Sequence, residues 1–238
     1  AVKHSVPKPS AVVLNFPANP TSLVVDLAFY QEVVDFCRKH EIYVLSDIAY
    51  SEIYFDGNPP PSILQCKGAK DIAVEFYSLS KTYSMAGWRI GFATGNKKLI
   101  NALTRIKSYL DYGAFTPVQV AATAALNGPQ DCVEEFRNLY RERRDIFIEG
   151  ALSAGWEIPS PAATMFAWAP IPDAFAELGS LDFSKLLLQE AGVAVAPGLG
   201  FGGYGNRNFG IARGEKKPRI RQANRNIKKF FSKSPDAV

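Results

Sequence analysis

Apolar and polar positions along this chain follow two different periods, and the order in which they alternate predicts the fold class. Ala11–Phe16 is a short apolar run, partly β-branched and closed by Pro17, which predicts a strand. From Asp26 to His40 the apolar residues Leu27, Tyr30, Val33, Val34 and Cys37 recur at helical spacing. Ile42–Leu45 is apolar again and stops at Ser46-Asp47. Strand, helix, strand in that order is a βαβ unit and predicts a parallel sheet. Two further strands are expected at Ile72–Tyr77, ending at Ser78, and at Ile90–Thr94, ending at Gly95-Asn96.

Beyond Gly95 the pattern turns helical. Leu99, Leu103, Ile106 and Leu110 form one stripe, Pro117–Leu126 is Ala-rich, and Asp131–Leu152 is long, charged and amphipathic. Short strands are then expected at Met165–Trp168, Val193–Ala196 and Phe209–Ala212. Helices at Phe183–Ala191 and Pro218–Phe231 are interleaved with them. The expected architecture is α/β: a mostly parallel sheet in a large domain over residues 1–127, then a connecting helix and a smaller α+β domain over residues 128–238. No internal repeat or low-complexity segment interrupts it.

Composition narrows the classes. With 47% hydrophobic and 21% charged residues, the chain has the make-up of a globular protein. A net charge of +4, with its basic residues spread out, does not predict nucleic-acid binding. The cluster from Lys216 to Lys233 reads as a solvated helix face. Cys37, Cys66 and Cys132 are odd in number and lack metal-ligand spacing, which points to a reducing, cytoplasmic setting. Only His4 and His40 are present, which excludes a His-rich metal site and a mid-chain triad histidine. No apolar run is long enough to span a membrane.

Three polar stations follow successive expected strands: Asn19-Pro20-Thr21, then Asp47 with Tyr50, then Ser78-Leu79-Ser80-Lys81 with Arg89. In open α/β sheets, ligand crevices form outside the carboxyl ends of the strands. Each station also has a plain structural reading, as a turn, a helix cap or a solvated pair. Taken together they match the needs of amine-transfer chemistry. That chemistry requires a lysine able to form an imine and a carboxylate facing a pyridinium nitrogen. It also requires donors toward a ring oxygen, and hydroxyls with a guanidinium for a phosphate.

The segment SLSKTYSMAGWRIGFATGN (Ser78–Asn96) resembles the Schiff-base lysine signature of class I/II aminotransferases, the fold-type I pyridoxal-phosphate (PLP) enzymes. NFPANPTS (Asn15–Ser22) and LSDIAYSEIYFDG (Leu45–Gly57) resemble two further motifs of that family. The similarity extends through RIKSYLDYGAFTPVQVAA (Arg105–Ala122) and PRIRQANRNIKKF (Pro218–Phe230), and it is closest to bacterial alanine (glutamate–pyruvate) transaminases. The resemblance implies a homodimer that moves amino groups between a small amino acid and a 2-oxo acid. It implies Lys81 as the Schiff-base and proton-carrying residue, and Asp47 on the pyridine nitrogen. It implies Tyr50 and Asn19 on the ring oxygen, and Ser78, Ser80 and Arg89 on the phosphate.

Two departures from the family are visible. The chain opens on a polar, proline-containing segment, reads as a start in mid-protein, and is expected to lack the family's N-terminal part. That part supplies a phosphate-binding helix N-terminus. The family's late strand, of the form Val-Arg-Ile-Ala-Leu, carries an arginine that grips the substrate α-carboxylate. Here Gly210 stands at that position, and Arg207 and Arg213 each lie three residues away, on the opposite strand face.

Two other readings compete. Ser78-Leu79-Ser80-Lys81 fits the S-x-x-K nucleophile pattern of acyl hydrolases, which would make Ser78 or Ser80 an esterase nucleophile beside Lys81. A chain lacking part of its coenzyme pocket could instead serve as a non-catalytic assembly module. The Gly-rich stretch Pro197–Gly203 lacks the helix and acidic residue of a dinucleotide loop and is expected to be a turn.

Overall fold

The computed structural model describes residues 2–233. They form two compact units, one built from residues up to 18 and from 23–137, the other from residues 19–22 and 138 onward.

In the first unit, β1 (Ala11–Asn15), β2 (Tyr43–Asp47), β3 (Ala73–Ser78) and β4 (Gly91–Gly95) stand side by side in chain order. The β1–β2 and β2–β3 pairs are parallel and β3–β4 is antiparallel. The mostly parallel sheet expected from the sequence is therefore present, with an antiparallel edge strand added. Between β1 and β2, helix α1 (Leu27–Lys39) starts where the Asp26 carboxylate accepts from Phe29 N at 2.8 Å, satisfying one of the helix's unpaired N–H groups. Its Tyr30, Val34 and Cys37 pack with Ile42, Val44, Ile63 and Ala73 into one core. Burial pushes the Cys37 and Cys66 thiols up, as suits inert core cysteines.

A short helix α2 (Leu79–Thr82) follows β3 directly. Then α3 (Lys97–Leu110) and α4 (Thr116–Asn127) follow β4, and α5 (Asp131–Ser153) passes from the first unit into the second. The stripe predicted for α3 is there, but none of its residues is buried, and Ile106 and Leu110 stay exposed.

The second unit holds a three-stranded antiparallel sheet in the order β5 (Phe166–Pro170), β7 (Asn208–Ala212), β6 (Ala196–Pro197). It packs with α6 (Gly179–Ala191) and α7 (Lys217–Ser232). Aromatic rings dominate this core: Trp156 lies 5.2 Å from Phe209 and 5.7 Å from Phe231, and its indole N–H donates to Pro170 O at 3.0 Å. Ile220, Ile227, Phe230 and Phe231 form the buried face of α7, leaving Arg219, Arg221, Lys228 and Lys229 on its exposed face, as the charge cluster predicted. The Gly-rich stretch folds as consecutive 3-10 turns, Gly198–Phe201 and Gly203–Arg207. It is tied to α6 by a Leu199 N to Ser180 Oγ bond of 3.0 Å.

Candidate active site

Side chains alternate across a strand, so residues two apart share a face and paired residues in register join them. Val13 pairs with Leu45, Asn15 with Asp47, and Asp47 with Phe76. Val13, Leu45, Asp47, Phe76 and Ser78 therefore share the sheet face opposite α1, and together with Tyr77 they line an open cavity of about 310 Å³. One carboxylate and one hydroxyl thus stand at the carboxyl ends of two adjacent parallel strands, over an apolar floor. The carboxylate can accept from a protonated ring nitrogen and the hydroxyl can donate to an anionic oxygen, with the apolar floor against a ring face.

The segment after β2 is a run of turns. The Asp47 Oδ1 accepts from Ala49 N at 3.0 Å, Ser51 N donates to Ile48 O at 2.9 Å, and Ile53 N to Tyr50 O at 3.0 Å. These bonds hold the Asp47 carboxylate at the strand end, where it is exposed, and carry Tyr50 to a position where it is 5% exposed. Asn15 adds a bond that sequence reasoning missed, its Nδ2 donating to Asp47 O at 3.3 Å. The signal was available, because Asn15 is the last residue of the strand beside Asp47.

Ser78 ends β3 and caps α2, its Oγ accepting from Ser80 N at 3.2 Å. One turn on, the half-buried Lys81 places its Nζ 5.8 Å from the centroid of the Tyr50 ring. The turn is pinned twice just after the lysine: Tyr77 Oη donates to Thr82 Oγ1 at 2.8 Å, and Tyr83 Oη to Gln130 Oε1 at 2.8 Å. Burial pushes the Tyr77 phenol up to about 12, so it stays a neutral donor near neutral pH.

Arg89 is exposed, sits at φ 52 just after a 3-10 turn, and donates from Nη1 to Ala86 O at 3.1 Å. The β3–β4 register brings its backbone near α2, since Ser78 pairs with Gly91 and Leu79 N donates to Ile90 O at 3.3 Å. That closeness requires glycine at position 91, where a Cβ would stand 2.4 Å from Tyr77 O.

Asp47, Tyr50, Ser78, Ser80, Lys81 and Arg89 are thus all carried by the first unit. Asn19 is carried by the second, in the excursion 19–22 that Ala18 N closes by bonding to Leu23 O at 2.9 Å. Within that unit Ser22 Oγ lies 2.6 Å from Thr164 Oγ1 and donates to Phe166 O at 2.8 Å. Gly210 is buried on β7. A Cβ there would meet only carbons at ordinary contact distance: Pro20 Cβ at 3.7 Å, Trp168 Cζ3 at 3.8 Å and Ala196 Cβ at 3.9 Å. Arg213 is 2% exposed and donates from Nη2 to Thr164 O at 3.1 Å and to Phe166 O at 2.8 Å. Its guanidinium thereby braces the strand start on which Ser22 is latched. Among the described residues no cluster of His, Cys, Asp and Glu could hold a metal ion, and no helix is long and apolar enough to cross a membrane.

Residues 1–212 match the family model of aminotransferase class I and II. A protein called AatC from Rhizobium meliloti strain 1021 is 59% identical over 238 residues, 100% of this chain and 59% of that relative. The glutamate–pyruvate aminotransferase AlaC of Escherichia coli strain K12 is 52% identical over 231 residues, 97% of this chain and 56% of AlaC. The crystal structure of an aromatic aminotransferase from Pyrococcus horikoshii superposes with a TM-score of 0.91 at 28% identity, covering 98% of this chain and 62% of that one. The chain therefore spans somewhat more than half the length of these relatives.

Proposed function

Because the chain belongs to the class I and II aminotransferase family, we propose that it carries the coenzyme half of a PLP-dependent transaminase acting on small amino acids of the alanine or glutamate type and on 2-oxo acids. The observation that carries this reading is the placement of Lys81 beside Tyr50, with Asp47 and Ser78 on one cavity at the ends of β2 and β3. Members of the family work with PLP, which, when bound, supplies an electron sink for the bonds at the substrate's α-carbon.

In this reading Lys81 Nζ anchors the coenzyme and carries the proton that leaves the α-carbon. Asp47, with Oδ1 already held by Ala49 N, offers its remaining acceptor capacity to the ring nitrogen. Tyr50 supplies a ring-oxygen donor, and Ser78, Ser80 and Arg89 the phosphate ligands. The name of AlaC supports the substrate class.

A cytoplasmic homodimer belongs to the same reading. It is supported by the free cysteines Cys37, Cys66 and Cys132 and by the exposed apolar side chains of α3. Neither the ester-hydrolase nor the assembly-module reading is favoured, since the relatives are aminotransferases.

The test is pyruvate formation from L-alanine and 2-oxoglutarate with added PLP. Turnover that disappears in Lys81→Ala is expected. Turnover that survives Lys81→Ala, or pyruvate release without an acceptor, would overturn the assignment.

A further inference from the structure

Behind the Lys81 turn lies a second cavity, of about 370 Å³, whose walls include Glu52, Tyr77, Thr82, Tyr83, Gln130 and Arg137. These side chains bond to one another around the hollow rather than through it. Tyr77 holds Thr82 and Tyr83 holds Gln130, so both contacts fix the lysine turn. Arg137 on α5 joins Glu52 and so reaches the other half of the site. Its Nε donates to Glu52 O at 3.1 Å, its Nη2 pairs with Glu52 Oε2 at 3.0 Å, and its Cζ lies 4.0 Å from the centroid of the Tyr54 ring.

We propose that Arg137 is a positioning residue of the active site, clamping residues 52–54 so that Tyr50 and Asp47 keep their orientation. Three contacts from one guanidinium converge on the chain two to four residues after Tyr50. Upstream of the clamp, Ile48 N donates to Phe76 O at 3.0 Å, and between that tie and the clamp the loop is held by the single-bond turns at Asp47, Ile48 and Tyr50. Downstream, Ile53 and Phe55 are each 2% exposed and anchor the chain in the core. The clamp therefore sets how the stretch between β2 and that anchor is bent. A charge-assisted fork that includes a backbone carbonyl fixes direction as well as distance. Because it borders a cavity, its loss widens the hollow beside the loop. Burial first, and after it the Glu52 carboxylate that the clamp holds nearby, raise the pKa of Tyr77 and Tyr83.

The inference rests on the transaminase reading for its consequence but not for its geometry, and the test separates the two. Hydrogen exchange at Ser51 and Ile53 amides is measured in the protein without coenzyme. Arg137→Ala is expected to accelerate both by about tenfold, as a local opening made easier by one lost charged bond. In the protein loaded with PLP, the pH midpoint of the visible band is measured in the parent, Arg137→Ala, Tyr50→Phe and the double variant. A donor to the ring oxygen favours its charged form, so both single variants should move the midpoint upward. The double variant should move it no further than Tyr50→Phe alone.

Turnover should fall by roughly 10²-fold, the cost of a misplacement of about 1 Å, in kcat rather than in KM for alanine. Arg137→Lys keeps the charge without the fork and is expected to recover only part of the shift. Should Arg137→Ala fail to fold, Arg137→Gln keeps one donor at the level of Nε and removes the charge and the fork for the same measurements. Unchanged exchange at Ser51 and Ile53, or additive midpoint shifts, would overturn the proposal. A parent that never forms the band defeats the transaminase reading alone, and the exchange arm still decides whether Arg137 orders the Tyr50 loop.

Discussion

Gly210→Arg restores, on this chain's own backbone, the cation that the family's late strand carries, and its effect can be bounded from the structure. Position 210 has an ordinary strand conformation, and an added Cβ would lie 3.7–3.9 Å from Pro20, Trp168 and Ala196, so nothing in the backbone resists the change. The side chain leaves β7 beside Pro20, the neighbour of Asn19. A hydrogen bond to a charged group contributes about 1.5–3 kcal/mol, and each 1.4 kcal/mol is about tenfold in affinity. The expected result is a gain of roughly 10- to 10²-fold in kcat/KM for alanine.

The assay mixes PLP-loaded protein with alanine or with ethylamine, which is alanine without its carboxylate, and follows the visible absorbance. The gain should be confined to alanine. Gly210→Leu, which fills the same space without charge, should show none. An unpaired guanidinium at this buried position costs stability, so the variant should melt below the parent until a carboxylate ligand is added. Equal rates on alanine for the parent and a folded Gly210→Arg, or an equal gain on ethylamine, would refute the reasoning.

Gly91→Ala drives a methyl group to 2.4 Å from Tyr77 O and should destabilise the protein by about 1–3 kcal/mol, read as a lower denaturation midpoint with β4 displaced from Ser78. Glu75 is 4% exposed, and burial holds its carboxyl above the usual 4.5, against the pull of the Ser62 hydroxyl and Ile63 N–H. The folded state therefore binds more protons than the unfolded one, and stability falls as pH rises from about 4.5 through the folded value. Glu75→Gln should flatten that slope in thermal melts taken from acid to neutral pH, and an unchanged slope would contradict the assignment. Trp156→Ala removes the ring that joins Phe209 and Phe231 and should cost about 3–5 kcal/mol in denaturant unfolding.

What could be read from the sequence was whatever is written in local periodicity. Tyr30, Val34 and Cys37 were picked out by spacing and are the buried residues of α1. The stripe Leu99–Leu110 likewise gave a helix, but periodicity states only that a face is apolar, and the structure leaves this one uncovered. α2 escaped notice because four residues carry no period, although Ser78 before it was a cap signal. Of the expected strand Val193–Ala196, only Ala196 is in β6. The left-handed Gly192 ends α6, and Val193 still bonds back to Leu187 O at 3.4 Å, so the chain is extended only later.

The order of the polar stations was legible because strand ends collect them. The link from Arg137 to Glu52 was not, since it joins residues 85 apart with no motif to mark either. The grouping of Asn19 with residues after 138 follows from the Ser22–Thr164 contact, across a separation of 142, which no local pattern encodes.

The central claim, that Lys81 is the coenzyme lysine of this fold, is tested most directly by adding PLP to the purified chain, reducing with borohydride and mapping the modified peptide. The account predicts a visible band that borohydride abolishes, a reduced PLP adduct on Lys81, and no band in Lys81→Ala. A band that persists in Lys81→Ala, an adduct spread over other lysines, or no band at all would contradict it.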